Sequence, residues 1–288
     1  MKYAVFTVSL PDFSPLEAIA NVKAWGFDGI EWRVTADAGD TAKPGFWSGN
    51  RCTLQADWSD ARFREIARAT ADAGLAVPNL GTYLKCSDAG AIERMMNVAK
   101  LFGAPSLRVG AASYDGRTPY SALFDDTVRH CAKVDDLAAQ YGLKVVFEIH
   151  MHTIIPSASA AHRLVSHFAP ARFGVIHDAG NMAYEGYENY QMGCELLGAY
   201  LAYVHAKNAA AVARDTAGPQ TRLYATQAAP MRAGAVDFAA LFRALKQVGY
   251  DSWIAIEDFC TEAPLTTRIP DDLCFLKSVA ASVQEPGP

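Results

Sequence analysis

Eight times in succession along this chain, a short run of β-branched and aromatic residues gives way to a longer segment with helical periodicity. The first unit sets the pattern. "YAVFTVS" reads as a strand, Ser14 as a helix N-cap, and "PLEAIANVKAWG" as an amphipathic helix closing at Gly26. The strands "DGIEWRV", "LAVPNLGTY", "PSLRVGA", "KVVFEIH", "ARFGVIHD", "LAYVHAKN" and "SWIAIEDF" follow, each leading into a helical pattern, and Gly74, Gly103, Gly142 and Gly249 stand where helices should end. Strands alternating with helices imply a parallel sheet. Eight such units in 288 residues, without a linker or low-complexity tract, predict an α/β fold, a single-domain (β/α)8 TIM barrel over residues 1–288. The size fits, since such barrels typically run to ~250 residues. An open doubly wound sheet would want a glycine-rich first β–α turn, and "SLPDFSP" offers none.

Two connections are longer than β–α loops usually are. One spans about 34–58 and carries Phe46, Trp47 and Trp58; the other spans about 208–236 and carries Arg214, Arg222 and Arg232. Both follow strands, so both should sit at the carboxyl-terminal mouth of the barrel, where loops shape active sites. Tolerated insertion or an oligomer contact is the plainer alternative.

Composition narrows the function classes. A net charge of -5 gives no general attraction to nucleic acid or to an anionic membrane surface. No apolar run approaches the roughly 20 residues that span a bilayer, and "MKYAVFTVSLPDF" reads as a first strand and not as a secretory signal. Six scattered cysteines without a C-x-x-C pair suit a reducing compartment. The expectation is a soluble, acidic, cytoplasmic protein.

Four strand ends carry the chemistry. Glu148 closes strand five, Asp178 strand six, His205 strand seven and Glu257 strand eight, each after about four apolar residues. One such residue is an ordinary polar strand end. Four on neighbouring strands, all turned inward, bring three carboxylates and an imidazole together. Three ionised carboxylates cannot share a small, partly buried space unaided; one takes a proton or a cation joins them. Oxygen-rich ligation with one nitrogen and no sulfur favours Mn2+, Mg2+ or Co2+ over copper and leaves Zn2+ open. His150 shares the face of Glu148, Lys207 that of His205, Arg108 ends strand four, and Asn181 lies three past Asp178, in the loop at the mouth. These four are candidate contacts to a hydroxylated or carboxylated substrate. His177 alternates away from Asp178 and should pack beneath a helix, and His130, His162 and His167 sit in helical patterns.

At "VVFEIH", "GVIHDAGN", "AYVHAKN" and "GAVDFAALFRALKQVGYDSWIAIEDF" the chain resembles the xylose isomerase-like TIM barrel superfamily of sugar phosphate isomerases and epimerases. The likeness extends over essentially the whole chain. It implies one divalent metal ion, Mn2+ foremost, on Glu148, Asp178, His205 and Glu257. It also implies that Glu148 and Glu257 move a proton of a small sugar or keto-sugar through an enediolate. Certain features depart from the ketohexose 3-epimerases. Where those carry a second Glu, a His and an Arg, this chain has Ile154, Asn181 and Ala211. The superfamily also holds dehydratases of inosose and of dehydroshikimate, and some of the latter show the Glu148–His150 spacing; there Arg108 would hold a substrate carboxylate. The three-zinc endonucleases of this fold need histidines from early strands, and none precedes His130 here. A sugar-binding barrel without catalysis is the remaining class. The resemblance leaves substrate, native metal and a homo-oligomeric state open.

Overall fold

The computed structural model describes residues 1–214 and 223–283. Eight parallel strands close on themselves: β1 (Lys2–Phe6), β2 (Gly29–Thr35), β3 (Leu80–Lys85), β4 (Ser106–Gly110), β5 (Lys144–Glu148), β6 (Phe173–Asp178), β7 (Leu201–Ala206) and β8 (Trp253–Ile256). Closure is made by β1, which pairs with β2 on one side (Val5 with Ile30) and β8 on the other (Val5 with Ile256). This is the expected (β/α)8 barrel.

Helices return the chain between strands, and their starts follow from sequence. Helix α1 (Pro15–Ala24) opens with a capping box in which Ser14 accepts from the Glu17 amide and Glu17 reaches back. Helices α2 (Asp60–Asp72) and α5 (Ala158–Val165) are capped by the hydroxyls of Ser59 and Ser157. Helices α3 (Ala89–Phe102) and α4 (Tyr120–Tyr141) end on left-handed Gly103 and Gly142. The remaining helices are α6 (Ala179–Tyr184), α7 (Tyr190–Leu197), α8 (Phe238–Gln247) and α9 (Leu265–Ser282). No helix among the described residues is long and apolar enough to cross a membrane.

Strand alternation sorts the apolar residues into two cores. Outward-facing side chains such as Val5, Ile30, Trp32, Leu107, Phe147 and Val175 pack against the helices in one continuous cluster. Inside the barrel, Ala4, Val146, Ile176, Tyr203 and Ala255 form a small plug. Two residues further along each strand, the inward positions are Phe6, Glu148, Asp178, His205 and Glu257. The apolar plug is therefore the floor on which the polar layer rests.

The long connections differ in kind. After β2, residues 36–53 form a loop, and a two-residue strand, Leu54–Gln55, then pairs parallel with β2. The span beginning at Asn208 is no irregular loop: Asn208–Arg214 and Leu223–Ala229 form an antiparallel ribbon. Its alanine-rich strands carry little intrinsic strand propensity, so pairing across the ribbon fixes them and local sequence does not announce them. Arg222, expected in this connection, lies outside the described residues. Arg232 is held by Asp271 at 2.8 Å, on the outer side of the ribbon's return.

Candidate metal centre

Glu148, Asp178, His205 and Glu257 meet as the sequence predicts. Each offers a ligand atom, these atoms lie within 4.8 Å of one another, and all four residues are buried. Glu148 and Asp178 are the last residues of β5 and β6, and His205 is the penultimate residue of β7. Glu257 follows β8 directly, its amide donating to the Ala206 carbonyl at 2.9 Å. Ladder pairing of Asp178 with His205 sets neighbouring strand ends level.

The imidazole is oriented from behind. His205 Nε2 lies 3.0 Å from Glu31 Oε2, and Nδ1 lies 3.1 Å from Glu148 Oε1, 3.7 Å from Glu257 and 3.9 Å from Asp178. A carboxylate can only accept, so Glu31 holds a proton on Nε2, while Nδ1 faces the ring, where it would offer its lone pair once a cation joins the carboxylates. Glu31 is fixed in turn by Asn79 Nδ2 at 2.7 Å, and Asn79 by Ser106 Oγ at 2.8 Å. The Phe6 ring stacks on the imidazole with centroids 5.6 Å apart.

Two cations also enter the ring. Lys207 Nζ lies 2.5 Å from Glu257 Oε2 and 3.0 Å from Asp178 Oδ2. Its stem runs directly under Gly180, where an added Cβ would come within 2.2 Å of Lys207 Cγ. Only glycine permits α6 to start so close. Arg108 Nη1 reaches Glu148 Oε2 at 2.5 Å, while Arg108 Nε donates to the Thr82 carbonyl. The guanidinium lies over Tyr83, 4.5 Å from its centroid.

Charge is distributed unequally among the three carboxylates. Burial alone would raise the Glu148 pKa, but Arg108, His205 and Lys207 outweigh it and hold the carboxyl well below its usual range. Asp178 goes the other way. Burial, with Glu148 and Glu257 beside it, pushes its pKa up to about 7 despite Lys207. Burial would lower His205 and Lys207, yet the surrounding carboxylates raise both. One carboxyl is thus driven toward protonation, as the crowding argument anticipated.

A divalent cation fits this arrangement. Asp178 Oδ2 is buried with the Lys207 ammonium 3.0 Å away but no hydrogen bond, and His205 Nδ1 and the facing oxygens of Glu148 and Glu257 are its neighbours. Three oxygen donors and one imidazole nitrogen, with no thiolate, suit a hard or borderline ion.

The other predicted contacts separate. Asn181 is fully buried and not at the open mouth: its amide caps α6 on Asp178 Oδ1 at 2.7 Å, and Nδ2 donates to Glu148 Oε1 at 3.1 Å and to the Ile149 carbonyl at 2.9 Å. It orients two ring carboxylates. His150 is half-buried and lines the same cavity as Glu148 and Arg108. Its Nδ1 donates to the Met151 carbonyl at 2.8 Å, leaving Nε2 available, and burial lowers its pKa. His152 is exposed in a left-handed conformation, φ 59°, with its amide on Glu185. His177 is fully buried outside the barrel, edge-on to Tyr190 of α7. Phe46 and Trp47 pack on Phe259, two residues past Glu257, with centroids 5.3 and 4.9 Å away. Lys207 Nζ lies 5.4 Å from the same Phe259 ring.

Sequence reading overlooked Glu31 and Phe259. The signal for Glu31 was a lone carboxylate inside the apolar "GIEWRV"; for Phe259 it was the aromatic following "IAIED".

Three comparisons place these features in context. Residues 19–279 match the xylose isomerase-like TIM barrel family. A curated relative, inosose dehydratase from Geobacillus thermodenitrificans (strain NG80-2), is 25% identical over 130 residues, 43% of this chain and 43% of that protein. The match therefore spans less than half of that relative's length. Among solved structures, 3-keto-D-glucoside 4-epimerase from E. coli superposes with a TM-score of 0.69 at 18% identity, covering 96% of this chain and 99% of that one. A xylose isomerase-like TIM barrel protein from Mycobacterium smegmatis in complex with magnesium gives 0.69 at 17% identity, covering 98% of both chains. These two share the fold. Because the family match runs over residues 19–279, nearly from end to end, the chain belongs to the xylose isomerase-like TIM barrel family.

Proposed function

We propose that this protein is a divalent-metal-dependent isomerase or epimerase of a small sugar or keto-sugar. The observation that carries this reading is the convergence of Glu148 and Glu257 with Asp178 and His205 in one buried ring. Two glutamates from different strands, each with an oxygen on the ring, give one group to take a carbon-bound proton and another to return it. The likeness to a sugar epimerase supports the same class.

When bound, the divalent cation supplies a Lewis acid that polarises a substrate carbonyl and stabilises charge on the neighbouring oxygen. The chain's own residues do the rest. Arg108 holds Glu148 in its ionised form, and Lys207 positions the Glu257 carboxyl through their contact at 2.5 Å. Asn181 fixes the orientation of Glu148, and Glu31 fixes that of His205. Phe46, Trp47 and Phe259 form an aromatic cluster beside Lys207, placed to cover a bound substrate.

A metal-dependent dehydratase is the second reading, favoured by the likeness to inosose dehydratase and by His150 lining the cavity of Glu148. It begins with the same proton abstraction and ends in loss of a β-hydroxyl, which leaves as water with the proton that the abstracting glutamate took from carbon. Manganese as the native ion and a cytoplasmic location remain part of the proposal.

Proton NMR in D2O tests it, with Mn2+-loaded protein and a panel of ketoses, ketose phosphates, hydroxypyruvate, inosose and dehydroshikimate. Loss of a signal beside a carbonyl with a new sugar appearing supports the isomerase or epimerase; a new vinylic or deoxy signal supports the dehydratase. Neither change, from protein shown to hold one metal per chain, counts against both.

A further inference from the structure

Beside Glu148, a cavity of about 330 Å³ opens between the ends of β3, β4 and β5. Its charged and imidazole side chains are Lys85, Arg108, Glu148, His150 and His152, with the neutral phenol of Tyr83 beside them. Their charges do not balance. Arg108 and Glu148 satisfy each other at 2.5 Å. His152 turns to Glu185, and His150 spends its Nδ1 proton on the Met151 carbonyl.

Lys85 alone is left over. Its ammonium donates to the Ala111 carbonyl at 2.7 Å and reaches Ser113 Oγ at 3.5 Å, both neutral. Among the described residues no carboxylate lies within 4.0 Å of it; the nearest acid in sequence, Asp88, takes the Lys85 backbone amide instead. Room for the side chain is made by Gly110, where a Cβ would stand 3.3 Å from Lys85 Nζ. A half-buried ammonium with no carboxylate in ion-pair range, facing a cavity also lined by a guanidinium, is a site short of one negative charge.

We infer that Lys85 binds an anionic oxygen group, a carboxylate or a terminal phosphate, carried by the substrate at a position removed from its reacting carbons. This rests on the proposed function and narrows it: the sugar or keto-compound is acidic. Arg108, already committed to Glu148, supplies background positive potential and no second salt bridge. Lys85 is thus a specificity-determining residue, and its influence falls on which substrate binds and not on proton transfer.

The test is direct binding to Mn2+-loaded protein by isothermal titration, using ribulose, ribulose 5-phosphate and 3-dehydroshikimate as probes. Wild-type protein should prefer at least one acidic probe over ribulose by about tenfold, and which one wins separates phosphate from carboxylate. In Lys85→Gln, which keeps a donor for Ala111 without the charge, that preference should collapse toward unity. Gly110→Ala, which crowds the ammonium, should reduce it as well and serves if the first variant misfolds. Lys85→Arg should retain part of it. Equal preference in wild type and Lys85→Gln, or no acidic preference in wild type, overturns the inference. Because binding is read without turnover, a loss of preference in a chain that exchanges no C–H proton would leave Lys85 assigned while sinking the isomerase reading. The reverse pattern would do the opposite.

Discussion

Glu31 and His205 face each other across the barrel, Oε2 to Nε2 at 3.0 Å, with both side chains fully buried. They stand on β2 and β7, which share no edge of the sheet. The pair couples the orientation of the single nitrogen donor to a strand on the far side of the barrel. Replacing Glu31 with Gln should weaken metal affinity by about 10–100-fold while the fold persists, since Asn79 can still bond to the new amide. Metal titration alongside circular dichroism checks this; unchanged affinity would remove Glu31 from the site.

Lys207 neutralises the ring from within. Its ammonium touches Glu257 and Asp178, so Lys207→Met strands buried carboxylates. Removing one partner of a buried ion pair costs about 3–5 kcal/mol. The melting temperature in chelator should fall accordingly, and saturating Mn2+ should recover much of the loss. A variant equally stable with and without metal would contradict this electrostatic account.

Glu148→Gln should abolish proton transfer and weaken metal binding, because one residue serves as ligand and base. Rates of C–H exchange in D2O, on whichever probe the wild type exchanges, read the first effect. Full exchange in the variant would end the assignment of Glu148 as a proton carrier.

Away from the site, Asp272 is 5% exposed, and burial followed by the neighbouring Asp258 carboxylate pushes its pKa up to about 8. The folded protein therefore keeps a proton that the unfolded chain loses near pH 4. The resulting stability is complete below pH 4 and declines as pH rises toward 8, by about 1.4 kcal/mol per pH unit. Asp272→Asn mimics the protonated acid. It should raise the melting temperature clearly at pH 8 and little at pH 4, and an equal shift at both would show that Asp272 carries no such proton.

Much of this was legible because the information is local. A strand of alternating inward and outward residues ending in Glu, Asp or His announces both its register and its polar tip, so the barrel and the ring at 148, 178, 205 and 257 could be read in order. The partnerships of Glu31 with His205 and Arg108 with Glu148 were not, since they join residues 174 and 40 positions apart and depend on how the barrel closes. Arg108 and Lys207 stood out by position, one at the end of strand four and the other two residues past His205, but their ion pairs with Glu148, Glu257 and Asp178 appear only in the folded barrel. Asn181 was placed at the mouth by its loop position, but α6 begins at Ala179 and turns it inward. The ribbon over 208–229 was illegible for a different reason, its alanine-rich strands being specified by pairing.

The central claim is that Glu148, Asp178, His205 and Glu257 together hold one divalent cation. Electron paramagnetic resonance of free Mn2+ during titration measures this directly, on wild type and on Asp178→Asn and His205→Ala. The account predicts one tightly bound Mn2+ per wild-type chain and an affinity at least about tenfold weaker in each variant. Wild-type protein that leaves Mn2+ free, or variants that bind it undiminished, would contradict it.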